Sequence, residues 1–219
     1  MVDMSPRTAA DLSLYLVADL EFAAGRDLAY LAGEAVLGGV TIVQLRAKAL
    51  ETSEFLDLAT RMAAALKKRS VPLIINDRVD IAMACGADGV HLGQDDMPID
   101  KARRLLGRSM IIGISVNTLK EAREAERLGA DYIGLGPVYA TATKDTELPV
   151  LGLESIRRIQ EKIGIPIVAI GGINAGNAAE VMKAGASGIA VVSAILGAPD
   201  ARKAASELKK KVRTYRREC

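Results

Sequence analysis

Short apolar runs alternate with longer amphipathic segments along the chain. Eight runs rich in Val or Ile have the length and the continuous hydrophobicity of strands that are covered on both faces. They are Leu14–Val17, Val40–Leu45, Leu73–Ile75, Gly89–Leu92, Met110–Ile114, Tyr132–Leu135, Ile167–Ile170 and Ile189–Val192. Segments between them, such as Glu54–Lys68 and Leu119–Leu128, carry apolar residues three or four positions apart, as amphipathic helices do. Strands that alternate with helices predict right-handed βαβ units and a parallel sheet.

A repeated way of entering the strands indicates that this sheet is closed. Every second strand follows a helical pattern that ends in glycine, where a left-handed residue can stop the helix. These entries are Gly38-Gly39-Val40, Gly86-Ala87-Asp88, Gly129-Ala130-Asp131 and Gly185-Ala186-Ser187. Two odd-numbered strands are entered instead through Pro72 and Pro166. Four copies of a (βα)₂ unit favour a closed (βα)₈ TIM barrel over an open sheet, and we expect residues 1–219 to form a single (βα)₈-barrel domain.

Composition narrows the class of protein and of partner. The chain has 219 residues, half of them hydrophobic, and a formal net charge of +2. So weak a field, with 3% aromatic residues and no Trp, argues against nucleic-acid binding. The first residues lack the apolar run of a signal peptide, and the longest apolar stretches fall far short of the ~20 residues of a membrane span. We therefore expect a cytoplasmic protein whose partners are small molecules, with homo-oligomer formation left open.

Polar side chains gather at one end of the predicted strands. In a barrel of this kind, the carboxyl ends of the strands and the loops that follow them build the active site. The opposite strand ends carry mostly Gly, Ala and Pro. The residues concerned are Gln44, Arg46, Lys48, Asn76, Asp77, His91, Gln94, Asp95, Asp96, Ser115, Gly171, Gly172 and Ser193. This asymmetry predicts an enzyme.

The second strand carries an unusual polar stripe. Because side chains alternate along a strand, every second residue from position 40 to position 48 shares one face. The stripe comprises Val40, Ile42, Gln44, Arg46 and Lys48, and the opposite face, expected to pack on helices, comprises Thr41, Val43 and Leu45. Three polar groups in alternation on an apolar strand favour a bound anionic ligand. The alternative is a strand end that reaches solvent, where long cationic side chains cover apolar surface.

Carboxylates follow the third and fourth strands and allow two interpretations. Taken singly, Asp77 is expected to cap a helix that starts near Arg78, and Asp95 or Asp96 one that starts near Pro98. Taken together, carboxylates on adjacent strand ends can share a hard cation such as Mg²⁺, which binds one or two carboxylates and phosphate oxygens. The basic second strand on the opposite side favours the metal site.

Three loops are candidates for anion binding. After the sixth strand, Thr141 and Thr143 precede Lys144, a pattern that an ordinary polar loop explains equally well. The stretch that continues to Gly152 is long enough for a lid. The Gly171–Asn174 turn and Ser193 follow the seventh and eighth strands, where barrels commonly bind phosphate through glycine N–H groups and a helix start.

His91 is the only histidine of the chain. At a strand end it can act as a general base, as a substrate ligand or as a hydrogen-bonded core residue. We favour the last of these three interpretations.

In their order along the chain, these segments resemble the thiamine-phosphate synthase family. The matching segments are Gly39–Lys48, Ile75–Arg78, His91–Asp96, Gly113–Ser115, Gly136–Lys144, Gly171–Ile173 and Val191–Ala194. Each is weak alone, but the ordered set extends from the first strand to the eighth and is specific. The resemblance implies a condensation, in which an aminopyrimidine methyl diphosphate loses pyrophosphate and the nitrogen of a thiazole ethyl phosphate attacks its methylene carbon.

The resemblance also implies roles for individual residues. The implied ligands of the pyrimidine diphosphate are Gln44, Arg46, Lys48, Asn76, Ser115 and Lys144. The implied ligands of the thiazole phosphate are Thr141, Thr143, Gly172, Val192 and Ser193. The implied Mg²⁺ ligands are Asp77 and Asp96. The candidate catalytic residues, which would stabilise the departing pyrophosphate, are Arg46, Lys48, Ser115 and Lys144.

Two other functions are compatible with the same barrel. One is a thiazole tautomerase-like enzyme, which would keep the phosphate site and need no metal. The other is a non-catalytic sensor or carrier of thiamine precursors. The presence of Arg46 and Lys48 together with Asp77 and Asp96 favours the synthase. Asn117 stands where the family often has His, which leaves the role of this position open.

Overall fold

Eight parallel strands close into a barrel in the order of the chain, with β1 paired to both β2 and β8. The computed structural model describes residues 10–141 and 149–216. The strands are β1 Leu14–Asp19, β2 Ile42–Arg46, β3 Leu73–Asn76, β4 Gly89–Leu92, β5 Ile111–Val116, β6 Tyr132–Leu135, β7 Ile167–Ile170 and β8 Gly188–Val191. The predicted (βα)₈ TIM barrel is confirmed. The largest differences are at β1 and β5, which continue two residues beyond their predicted ends at Val17 and Ile114, and at β2, which begins two residues after its predicted start at Val40.

Helices follow the strands and surround the barrel. The α-helices are α1 Leu28–Leu37, α2 Thr52–Lys67, α3 Val79–Cys85, α4 Ile99–Leu106, α5 Leu119–Leu128, α6 Gly152–Gln160, α7 Ala178–Lys183, α8 Ser193–Leu196 and α9 Ala201–Arg216. A 3₁₀ turn, Leu20–Ala23, follows β1. Glycines with a positive φ end the helices before the even-numbered strands as predicted, at Gly39 (φ +112°), Gly86 (φ +66°), Gly129 (φ +86°) and Gly185 (φ +102°). Within the residues described, no helix combines the length and the apolar character that a membrane crossing requires.

The core has two layers because strand side chains alternate between the barrel interior and the surrounding helices. The interior layer includes Leu12, Tyr15, Val17, Ile42, Ile74, Tyr132, Val168 and Ala190. On β2 the alternation is as predicted from Ile42 onward, since Val43 and Leu45 belong to the outer layer. Val40 is the exception. It precedes the strand and packs in the outer layer rather than in the interior.

The first and last helices close the outer ring. Gly39 stops α1 as predicted, with a φ of +112°, and the preceding Gly38, whose φ is −79°, has a different role. Its role is steric, because a Cβ there would lie 2.7 Å from the Cβ of Ala205 on α9. Beside this contact, the Lys209 ammonium donates a hydrogen bond of 2.8 Å to Ser13 Oγ, just before β1. The absence of a side chain thus lets α9 reach α1.

Candidate active site

The polar residues at the carboxyl ends of β1 to β5 form one continuous group at the barrel mouth. Parallel pairing places Asp19 beside Arg46, and it places Asn76 beside His91. Ser115 is the second-last residue of β5. Because neighbouring strand ends share one edge of the barrel, side chains that are far apart in sequence meet here.

Arg46 is held by a buried carboxylate. Its guanidinium pairs with Asp19, whose side chain is 3% exposed, and Asp19 also accepts a bond of 3.2 Å from the Glu21 N–H. Only 18% of the Arg46 side chain is exposed. A guanidinium has five N–H donors, so donors remain for an anion at the mouth. The sequence did not reveal Asp19, because the predicted first strand stopped at Val17 and left this residue in a loop.

Lys48 lies beyond the end of β2 and contacts the third strand end. Its ammonium is 3.0 Å from Asp77 Oδ2, and about half of the Lys48 side chain is exposed. The two side chains border a cavity of about 190 Å³. The cavity is lined by Ala47, Lys48, Leu50, Phe55, Asn76, Asp77 and Arg78. Lys48 is therefore placed to exchange a protein carboxylate for a ligand anion.

Asp77 and Asp96 meet, and neither caps a helix. Asp77 has a φ of +62° and donates its N–H to His91 O at 2.9 Å. The N-cap positions of α3 and α4 are Arg78 and Pro98, and neither makes a side-chain capping bond. The predicted capping roles of Asp77 and of Asp95 or Asp96 are therefore wrong. With this left-handed backbone, Asp77 is hydrogen-bonded to β4 through its N–H and does not occupy the N-cap position of α3.

The carboxylates of Asp77 and Asp96 are close enough to affect each other's charge. Burial raises the pKa of Asp96 above its ordinary value, and the neighbouring Asp77 raises it further. Asp96 Oδ2 accepts a hydrogen bond of 2.6 Å from the Gly93 N–H. Across the described residues no group of three or more His, Cys, Asp or Glu side chains could enclose a metal. Two crowded carboxylates fit a hard cation that takes its other oxygens from water and substrate.

A chain of hydrogen bonds crosses the barrel interior beneath the mouth. Gln44 Nε2 donates to Tyr15 OH at 3.0 Å, and Tyr15 OH lies 2.8 Å from Tyr132 OH. His91 Nδ1 is 2.9 Å from Tyr132 OH, and its Nε2 is 2.9 Å from Ser115 Oγ. Burial raises the pKa of each tyrosine well above the ordinary value of a tyrosine, so both keep their hydroxyl hydrogen. The interpretation of His91 as a hydrogen-bonded core residue agrees with these contacts.

Two strand glycines make room for this chain. A Cβ at Gly113 on β5 would overlap the ring of Tyr132. A Cβ at Gly134 on β6 would lie 3.0 Å from His91 Cε1. Nothing in the sequence marks the two tyrosines as functional, because each stands in a run of apolar residues that is typical of a buried strand. For Tyr132 the available signal was Gly113 on the neighbouring strand β5, which leaves space for a large ring.

Ser115 is held at a second point, and Asn117 has a structural role. Gln94 Nε2 donates to the carbonyl oxygen of Ser115 at 2.6 Å. Two residues further on, the Asn117 side chain donates to Gly136 O and its N–H donates to Glu121 Oε2 at 2.7 Å. Asn117 thereby ties the end of β5 to the start of the loop after β6.

The glycine pair after β7 serves loop packing. Gly171 and Gly172 have φ values of +99° and +66°. Their Cβ positions would lie 2.6 Å from Pro137 Cα and 2.7 Å from Tyr139 Cβ, respectively. Glycine is therefore needed here for the close approach of the loop after β6, and the approach of a phosphate stays a prediction. Asn177 Nδ2 donates to Gly172 O at 3.0 Å and holds the turn.

The remaining predicted ligands lie around this turn. Val192 and Ser193 stand at the start of the short helix α8, directly after β8. Thr141 is half-buried at the end of the described part of the β6 loop. Thr143 and Lys144 lie outside the described residues. The structure therefore brings Gln44, Arg46, Lys48 and the two metal-ligand candidates to one side of the mouth.

Comparison with known proteins gives one consistent family. A model of the thiamine monophosphate synthase family matches residues 14–195. Thiamine-phosphate synthase of Syntrophomonas wolfei is 49% identical over 200 residues, which cover 91% of this chain and 96% of the relative. Thiamine-phosphate synthase of Albidiferax ferrireducens is 51% identical over 198 residues, with 90% of each chain covered.

Solved structures agree with these relatives. Thiamine phosphate pyrophosphorylase from Pyrococcus furiosus is 42% identical, with a TM-score of 0.86 over 94% of this chain and 98% of its own. A 3-hexulose-6-phosphate synthase is 23% identical, with a TM-score of 0.66 over 91% of this chain and 99% of its own. The second likeness concerns the fold alone.

Proposed function

The chain belongs to the thiamine monophosphate synthase family, and we propose how its strand-end residues divide the work of the thiamine-phosphate synthase reaction. The enzyme is a transferase. The bond between the pyrimidinylmethyl carbon and the diphosphate oxygen breaks, and this carbon bonds to the thiazole nitrogen. The pyrimidine amino group feeds electrons into the developing cation, so the reaction requires no enzyme nucleophile. What the protein must supply is charge stabilisation for the departing pyrophosphate.

The observation that carries the proposal is the convergence of opposite charges at one side of the mouth. Arg46 is fixed by Asp19, and Lys48 contacts Asp77 at 3.0 Å beside Asp96. In this assignment Arg46, Lys48 and Lys144 contact the diphosphate, since leaving-group charge grows there. Asp77 and Asp96 would hold Mg²⁺, which would add positive charge beside the leaving group.

The pyrimidine end lies deeper, on the neutral side chains. Gln44 is 5% exposed and faces the barrel interior, and Asn76 ends the neighbouring strand β3. Both present amide groups that can pair with the amino group and ring nitrogens of a pyrimidine. Ser115 reaches the same space from β5 and contacts the diphosphate.

The thiazole phosphate takes the other side of the mouth. Its assigned ligands are Thr141, Thr143, Gly172, Val192 and Ser193. Backbone N–H groups and hydroxyls can hold a phosphate there without competing with the cations of β2. Separate sites for the two phosphorylated substrates leave the thiazole nitrogen free to face the methylene carbon. Because such substrates do not cross membranes unaided, the proposal includes a cytoplasmic location.

The two other functions are not retained. A family model and relatives near 50% identity describe synthases, and the similar solved structure is a pyrophosphorylase of thiamine phosphate. Neither a tautomerase-like enzyme nor a precursor sensor has such support.

A metal titration tests the assignment of Asp77 and Asp96. Asp77→Asn and Asp96→Asn keep the side-chain shape and remove one charge each. We expect roughly 10²-fold lower kcat in each variant and a higher Mg²⁺ requirement for the activity that remains. The double variant should be little worse than either single one, because both carboxylates act through one ion. The measurement is the initial rate against Mg²⁺ concentration, with both substrates saturating.

The matched control is Asp95→Asn. Asp95 is exposed and adjacent in sequence to Asp96, so the same chemical change there should leave rate and metal requirement near those of the unmodified enzyme. Metal-independent turnover of the unmodified enzyme, or near-normal rates in both single variants, would remove Mg²⁺ from the proposal.

A further inference from the structure

The hydrogen-bond chain inside the barrel links two proposed substrate ligands. It begins at Gln44, passes through Tyr15, Tyr132 and His91, and ends at Ser115. Tyr15 and Tyr132 are each 1% exposed, so water does not replace a missing partner. A hydroxyl group has one hydrogen to donate. The direction of one bond in the chain therefore determines the direction of the next.

Gln44 sets that direction. Its amide nitrogen donates to the oxygen of Tyr15, so the hydrogen of Tyr15 is available for Tyr132 at 2.8 Å. The hydrogen of Tyr132 then points to His91 Nδ1 at 2.9 Å. A neutral imidazole that accepts at Nδ1 carries its hydrogen on Nε2. That hydrogen is donated to Ser115 Oγ at 2.9 Å.

The end of the chain determines what Ser115 can do. Since Ser115 Oγ already accepts from His91, its own hydrogen is directed to a different group. A hydroxyl hydrogen is the favourable contact for a phosphate oxygen, whereas a lone pair is repelled by it. At the other end, Gln44 keeps its carbonyl oxygen for a donor such as an amino group. The opposite direction would offer N–H to an amino group and a lone pair to an anion.

We infer that His91 is a positioning residue, which the buried chain holds as the neutral Nε2–H tautomer so that Ser115 donates its hydroxyl hydrogen to the pyrimidine diphosphate. The part of this inference that concerns the substrate rests on the proposed function. The part that concerns the tautomer rests on the hydrogen bonds alone. Gln44 and Ser115 are then coupled, because reversing the amide at one end reverses the donor at the other.

The tautomer can be measured directly, because His91 is the only histidine of the chain. Histidine labelled with ¹⁵N in both ring positions gives one imidazole in a two-dimensional ¹H–¹⁵N spectrum of the unmodified enzyme. The expected result is one protonated nitrogen, Nε2, and one unprotonated nitrogen, Nδ1. An Nδ1–H tautomer or a doubly protonated ring overturns the inference, and this measurement needs no variant.

Gln44→Glu tests the coupling from the far end of the chain. A carboxylate only accepts, so Tyr15 must donate to it and every bond as far as Ser115 must reverse. Above neutral pH we expect the ring hydrogen to move from Nε2 to Nδ1. In a Tyr15→Phe background the same substitution should leave the imidazole signals unchanged, because the chain is interrupted. An unchanged tautomer in the Gln44→Glu variant, or an equal response in both backgrounds, contradicts the coupling.

Kinetics test the positioning of Ser115. Tyr132→Phe removes the donor to His91 Nδ1 and should raise KM for the pyrimidine diphosphate roughly tenfold, the equivalent of one hydrogen bond. KM for the thiazole phosphate should stay unchanged. The control is Tyr30→Phe, because the Tyr30 side chain is exposed on α1. Equal changes in both KM values, or none, overturn the positioning role. Absence of synthase activity in the unmodified enzyme would instead reject the proposed function and leave the tautomer result standing.

Discussion

The barrel mouth has a neutral, buried half and a charged, exposed half. In the neutral half, the chain from Gln44 to Ser115 has a hydrogen-bond partner at each link. In the charged half, Lys48 and Asp77 form an ion pair in which about half of the lysine and a fifth of the aspartate side chain remain exposed. The internal links of the first half need no change of partner when substrate binds, whereas Lys48 must change its partner to reach one.

This difference follows from the cost of burial. A neutral polar group is stable in the barrel interior when its hydrogen bonds are satisfied, and such a network is rigid. A charge buried in the same place would cost several kcal/mol unless it is well paired. Apart from the buried Asp19–Arg46 pair, the charges described above lie at the rim, where solvent allows their partners to change. The neutral half orients the substrate, and the charged half stabilises the negative charge that develops on the leaving group.

The largest effect is expected from Gly113→Ala, which changes the packing of the neutral half. The added Cβ would overlap the ring of Tyr132, and we expect a loss of about 3 kcal/mol in the free energy of unfolding. This corresponds to a Tm lower by about 6–12 °C. The control is Gly33→Ala on α1, where nothing lies within 4 Å of an added Cβ, and which should gain about 0.5–1 kcal/mol. Equal Tm values for the two variants would show that the chain tolerates displacement of Tyr132.

A smaller effect is expected from Asp19→Asn, at the border between the two halves. The variant keeps an oxygen for the Glu21 N–H and removes the charge that pairs with Arg46. We expect a loss of about 1–3 kcal/mol in stability, together with a higher KM for the pyrimidine diphosphate. Urea denaturation and steady-state kinetics measure the two effects. Asp27→Asn, which alters an exposed helix cap instead, should leave KM unchanged; a normal KM in Asp19→Asn would mean that Arg46 needs no anchor.

The smallest effect, of opposite sign, is expected from Asp96→Asn in the charged half. Its carboxyl pKa is raised by burial and then by Asp77. The charged form therefore lowers stability above that pKa, and the loss disappears as the pH falls below the unfolded value. Without metal, the variant should melt slightly higher than the unmodified protein at neutral pH and equally in acid. Mg²⁺ should stabilise the unmodified protein more, and a lower Tm of the variant at neutral pH would contradict the proximity of the two carboxylates.

Much of the barrel was predictable because its signals are local. Each strand is a short apolar run, and the alternation along β2 placed Gln44 inside and Val43 outside. The capping role of Asp77 was wrong because this residue has a left-handed φ and its N–H donates to His91 O on β4. Nothing in the neighbouring sequence indicates this contact. Asp19 was missed because its partner Arg46 becomes its neighbour only through the register of two paired strands.

The glycines show the same limit. Gly171 and Gly172 were predicted from their position after the seventh strand, and a turn with positive φ is present there. Their contacts with Pro137 and Tyr139 depend on how the loop after β6 lies against β7. The sequence therefore predicted where the glycines lie but not these packing contacts, which require them.

The closure of the ring by α9 has a consequence for the order of folding. Ser13 and Lys209 are 196 positions apart in the chain, whereas successive βα units make contacts of much shorter range. Bringing distant segments together costs more chain entropy than pairing neighbours. We therefore expect the seam between β1 and β8, with α1 against α9, to form last and to open first. Interactions made only there, such as the approach of α9 to Gly38, would slow unfolding while leaving the folding rate unchanged.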